Sequence, residues 1–156
     1  MPYYAVPGNQ STISASYKTA AQVNAGGATK RAKVYEIMVG PTGAPNATDC
    51  SIQFDVSRIT ATGAGAYTSW TPTQLDPADG ASVLSAGINA TAEATAITAN
   101  SSLWNEGVNQ RNSLRWVAPQ ESQYIVAPAA AGNGFVLRGL SATYTSSVSG
   151  QLTYQE

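Results

Sequence analysis

Histidine is absent from this 156-residue chain, which removes the commonest general base and the commonest metal ligand together. A hydrolytic triad of the usual kind is thereby excluded. The single cysteine, Cys50, leaves no intrachain disulfide and no multi-cysteine metal site. Charge is scarce as well: charged residues make up 11% of the chain and the formal net charge is −1. There is no basic field for phosphate backbones and no acidic block for a basic partner, so nucleic acid is not an expected partner. No apolar run approaches the ~20 residues of a membrane-spanning helix. The start, Met1-Pro2-Tyr3-Tyr4-Ala5, lacks the charged region and apolar core of a signal peptide. The expectation is a chain made in the cytoplasm, with no membrane partner. No glycine-rich phosphate cradle precedes a helix, and no cofactor or metal is expected.

What is present is alternation. In Asp49 to Arg58, Cys50, Ile52, Phe54 and Val56 share one side while Ser51, Gln53, Asp55 and Ser57 share the other, as successive residues of a strand do. One packed and one wetted face is the mark of an antiparallel sheet. The C-terminal stretch repeats the pattern, with Ala142, Tyr144, Val148, Leu152 and Tyr154 on one parity. Arg31 to Val39 is partly apolar on both sides, as in a strand that meets the core with one face and a neighbour with the other, or in a central strand under a loop. Further strands are expected at residues 12–18, 112–117, 123–126 and 135–140, with turns at Asn24 to Gly27, Gly40 to Asn46 and Ala129 to Gly134. About eight strands at this spacing describe an all-β protein, an antiparallel sandwich in one domain over residues 10–156. Residues 62–66 are small and Gly-rich. Residues 81–100 mix alanine with threonine and isoleucine and read as a short helix or an irregular excursion.

Residues 1–9 carry Pro2, Pro7 and Gly8 around Tyr3, Tyr4 and Val6. They read as an extended N-terminal arm with aromatic anchors, ready to lie on a neighbour. Trp104, flanked by Ser102, Asn105 and Glu106, reads as an exposed anchor, and Trp116, on the parity of Leu114, as core. Aromatics of this kind also suit a sugar-binding module. Asp49, Asp55, Asp76, Asp79, Glu93, Glu106 and Glu121 are carboxylates that a glycosidase would need in pairs. Asp55 falls on the solvent parity of its strand and the others lie in turns, so all are expected to be solvated and no enzyme is expected. The stretch Asp76 to Gly80 lacks the spacing of a calcium loop and reads as a proline-initiated turn. The surface is left to Ser, Thr, Asn, Gln and Ala, whose burial at an interface costs far less than burial of unpaired charge.

The run Asn109 to Pro119, the segments Ile125 to Ala129 and Asn133 to Arg138, and the terminal Tyr144 to Glu156 strand resemble the small head proteins encoded beside the major capsid protein of tailed bacteriophages. The resemblance covers roughly the C-terminal third. It implies a capsid decoration or cement protein: a jelly-roll-like domain, often a homotrimer, on the outside of an icosahedral head, with the major capsid protein as partner and no catalytic residues. In that setting Tyr3, Tyr4, Val6, Trp104 and Arg111 are the candidate interface residues. A lectin-like, carbohydrate-binding sandwich is the alternative.

Overall fold

The structure, a computed structural model, describes residues 1–27, 29–61 and 65–156, with residues 98–100 described by their backbone alone. Part of the small-residue stretch at 62–66, residues 62–64, lies outside the described residues. Twelve strands are described: β1 (Tyr3–Gln10), β2 (Lys18–Ala25), β3 (Lys33–Pro41), β4 (Ser51–Ile59), β5 (Ala66–Trp70), β6 (Thr73–Gln74), β7 (Leu84–Ala92), β8 (Ile97–Asn109), β9 (Leu114–Val117), β10 (Ile125–Val126), β11 (Gly134–Leu140) and β12 (Val148–Gln155). The only helical turn among the described residues is a 3₁₀ turn at Glu121–Gln123.

Two six-stranded antiparallel sheets face one another. The first runs β10-β3-β12-β1-β6 with β9 also paired to β3, and the second runs β5-β7-β2-β11-β4-β8. Strand β1 pairs with β12 in the first sheet while β2 pairs with β11 in the second, so the two terminal ribbons pass together from one layer to the other. Between the layers, Val6, Ile37, Leu152 and Tyr154 meet Val23, Phe54, Val56, Phe135 and Leu137 in one continuous core. Phe54 is fully buried and Gln53 exposed, as the alternation at β4 requires.

The N-terminal segment is not an arm. Residues 3–10 form a full strand, bonded along its length to β12 from Tyr3↔Gln155 to Gln10↔Val148. The prolines that suggested an arm are compatible with this position. The Leu75 N–H donates to the Tyr3 carbonyl, so odd positions of β1 turn their backbone groups toward β6. Since β6 pairs only with Tyr4 and Ala5, Pro7 directs its missing N–H to an edge with no partner, where a strand tolerates proline. Residues 12–18 are mostly connection, carrying the chain between the sheets with Ile13 buried between them.

Residues 81–100 hold no helix; they contain β7 and the start of β8. Their small side chains answer to crowding, not to helix propensity. The Tyr67 ring lies over Gly87, where a Cβ would come within 2.7 Å of Tyr67 Cβ, and Ala86 and Ala90 are buried.

Asp55 is likewise not solvated, with 1% exposure. Strands β2, β11 and β4 separate β7 from β8, so the connection at 93–96 crosses the outer face of the second sheet. Ala94 packs there on Ile59 and Val136. At Asp55, too, the parity that should meet water meets protein. Arg138, directly opposite on β11, donates to Asp55 Oδ2 from Nη2 at 2.6 Å and from Nε at 3.0 Å. Ser57 donates to the same oxygen at 2.7 Å and Ser102 to Oδ1. Glu93 also departs from the solvated expectation, accepting from the Thr19 N–H at 2.8 Å and from its hydroxyl.

Candidate interaction surface

In β3 the inward residues Val34, Ile37 and Val39 belong to the core. Tyr35, Glu36 and Met38 stand on the opposite side, and the neighbouring strands extend that outer face. Strand β9 adds Arg115 and Val117, β12 adds Gln151, Thr153 and Gln155, and β1 adds Tyr3. Met38 is 40% and Val117 43% exposed, a large apolar exposure for adjoining strands. At the centre of this face the charges are paired, Arg115 donating to Glu36; at one end the Lys33 ammonium donates to the neutral Gln155 Oε1 at 3.3 Å and keeps its charge. Around Met38 and Val117, with apolar side chains outward and the Glu36–Arg115 pair formed, covering the face strands no unpaired charge.

At the Lys33 end three tyrosines cluster. Tyr3 meets Tyr35 edge-on, with ring centroids 5.3 Å apart and planes at 83°, and Tyr35 meets Tyr124 at 5.7 Å. Such contacts fix ring orientation as well as burying area. Beneath them Thr153 and Gln155, although on the outer face, are only 1% and 3% exposed, and Gln155 Nε2 donates to the Tyr3 hydroxyl at 3.2 Å. Burial, then the charge of Glu36, holds the Tyr35 phenol above its ordinary range; burial, then Tyr3, does the same for Tyr124. With Leu75, Asp76 and Asp79 the three rings line an open groove of about 370 Å³. A second groove, of about 450 Å³, lies farther along the face between Met38, Leu114, Arg115 and Gln151.

The five residues singled out from sequence do not form one site. Tyr3 lies on the outer face, in the tyrosine cluster. Tyr4 and Val6 point the other way into the core, at 2% and 0% exposure, with Tyr4 stacked on Tyr154 at 5.6 Å and its hydroxyl donating to the Gly80 carbonyl at 2.8 Å. They are structural residues, and neither is free to anchor a neighbour. Trp104 is 8% exposed and packs in the core opposite Val56 in mid-β8, so it is no surface anchor either. Arg111 is exposed as expected, at the Pro41 end of the sandwich. Its Nε donates to Asp49 Oδ1 at 2.8 Å and its Nη2 to the Asn46 carbonyl at 3.0 Å. The hydrogen bond from Arg111 holds the Asp49 carboxyl below the usual carboxylate range, with help from Gln110 and against slight burial. Tyr35, Tyr124, Met38 and Val117 were not singled out; the two-sided apolar pattern of β3 was the available signal for Tyr35 and Met38.

Among the described residues no three or more Asp, Glu or Cys side chains gather closely enough to hold a metal ion. The most deeply buried carboxylate, Asp55, is occupied by Arg138 and two serines and lines neither groove of this face. What the fold defines here is a β-sandwich with an apolar, charge-paired sheet face and an aromatic groove at one end of it. Compared with protein-family models, curated proteins and solved structures, the chain matches none.

Proposed function

We propose that this protein is a structural component of a bacteriophage virion, a decoration or cement protein that binds the outside of the icosahedral head and reinforces contacts between capsomers. The outer face of the β10-β3-β12-β1-β6 sheet carries this reading, because Met38 and Val117 stand outward there while Glu36 and Arg115 neutralise one another. That face is the one laid against the major capsid protein. The polar remainder of the surface, in a chain with only 11% charged residues, packs against neighbours without stranding charge. The protein supplies binding, not catalysis.

Three copies around a threefold position would turn three weak contacts into a strong one, since the second and third bind at high effective concentration. Strand β8, thirteen residues long at the end of its sheet, supports lateral contact between copies through its unpaired backbone edge. The alternative, a carbohydrate-binding module, began from tryptophans, of which Trp104 is buried and Trp116 is partly buried against the core. The test is to identify the polypeptide by mass spectrometry in purified heads of the phage that encodes it and to locate it by electron cryomicroscopy. Copies on the exterior with the β3/β9 face toward the shell are expected. Heads free of the chain, with reproducible glycan binding by the isolated protein, would reject the reading.

A further inference from the structure

The tyrosine groove has a chemistry of its own, separate from the apolar face beside it. Its lining consists of the rings of Tyr3, Tyr35 and Tyr124, the side chain of Leu75 and the carboxylates Asp76 and Asp79. Every polar side-chain group in that lining is a carboxylate or a phenol, and no ammonium or guanidinium lines it. Lys33, at that end of the sheet, is tied to Gln155 and lies outside the groove. The charge of the lining itself is therefore negative and is set beside the electron-rich faces of aromatic rings, with the Lys33 ammonium one side chain away, beyond Gln155. Both features attract a cation, and they add.

The rim is also held in place. Leu75 is bonded through its N–H to the Tyr3 carbonyl at 2.9 Å, and the Asp76 Oδ1 accepts from the Ala78 N–H at 2.9 Å, closing the turn. The Gln74 side chain donates to the Asp79 carbonyl at 3.3 Å, and the Tyr4 hydroxyl, rooted in the core, to the Gly80 carbonyl. Among the described residues the second Asp76 oxygen has no hydrogen-bond partner, and the loop that carries both carboxylates is fastened to β1 and β6 at three points. A site prepared in this way loses little entropy on binding.

We propose that this groove binds an organic cation, an ammonium or guanidinium group on an apolar stem, with the charge against Asp76 and Asp79 and the stem on the tyrosine rings and Leu75. A sugar would find ring faces here too, but it presents both donors and acceptors and would meet carboxylates and phenols alone, with no amide or cationic donor in the lining. The cation could be a free quaternary or primary amine, or a lysine or arginine side chain of a partner. The site does not depend on what the protein assembles with.

The experiment is a chemical-shift titration of the isotopically labelled full chain with tetramethylammonium, N-acetyl-lysine methylamide, N-acetyl-arginine methylamide and methyl glucoside. Saturable shifts confined to the groove are expected for at least one cation, weakened by raised salt. Asp76→Asn with Asp79→Asn should weaken binding by about tenfold while leaving other resonances in place, since asparagine keeps the turn-closing oxygen. Tyr124→Leu should weaken it independently of the loop. Preference for the capped amino acids assigns the groove to a polypeptide side chain, and preference for tetramethylammonium assigns it to a free cation. The proposal is overturned if none of the three cations saturates, if methyl glucoside binds more tightly than all of them, or if the doubly substituted protein binds as the original does.

Discussion

Arg138 and Asp55 stand directly opposite one another on adjacent strands, joined at 2.6 Å beneath the second sheet's cover, with the guanidinium 4.4 Å from the centroid of the Tyr17 ring. The Asp55 side chain is 1% and the Arg138 side chain 14% exposed, so neither charge can turn to water if the other is lost. Replacing Asp55 by Asn should therefore cost about 3–5 kcal/mol of stability. Urea denaturation checks this, and a loss below about 1 kcal/mol would mean the pair is not sealed.

The same carboxyl sets an acid dependence. Burial pushes its pKa up, but the hydrogen bonds from Ser102, Ser57 and Arg138 and the guanidinium charge outweigh it, so the folded value lies below the ordinary one. A depressed carboxyl contributes stability that is fully present above its unfolded pKa of about 3.9 and is lost as pH falls through the folded value. Stability should decline on acidification below about pH 4, and the Asp55→Asn variant should lack that component of the decline. Parallel curves for the two proteins through the acid range would contradict the assignment.

Because β1 lies between β12 and β6, removing residues 1–9 should leave no cooperatively folded domain. It exposes one side of β12 and takes Tyr4 and Val6 out of the core. Dichroism with thermal melting reads the outcome; a truncated chain that melts like the full one would place β1 outside the folding unit.

Faces along β4 are tested by a matched pair. Phe54→Ala, at a fully buried ring, should cost about 3–5 kcal/mol. Gln53→Ala loses only an exposed bond to Asn105 and should stay within about 0.5 kcal/mol. Equal losses would mean that the face assignment is wrong.

How much of this was legible follows from what alternation encodes. It separates two sides of a strand, and at β4 and β12 one side is core, so Phe54, Leu152 and Tyr154 could be placed from sequence; β11, buried on both sides from Phe135 to Leu137, offers no such alternation. Alternation does not say what lies over the other side. Asp55 and Gln53 share a parity, yet one is enclosed by Arg138, Ser57 and Ser102, with Tyr17 against the guanidinium, and the other is exposed. Tyr3 and Tyr4 could not be told apart as surface and core without knowing that residues 3–10 pair with β12. The tyrosine groove draws on β1, β3, the turn after β6 and the approach to β10, four segments that only the fold brings together.

If the outer face of the β3/β9 sheet is the docking surface proposed above, co-sedimentation with phage heads reads it out. Met38→Asp with Val117→Asp places two charges at side chains that are already 40% and 43% exposed; aspartate's poor strand propensity, and Glu36 opposite position 117, should make each cost about 1 kcal/mol. With the fold checked by dichroism and urea denaturation, the variant should fail to sediment with heads that carry the original protein down. A doubly charged variant that stays folded and sediments as the original does would contradict the claim.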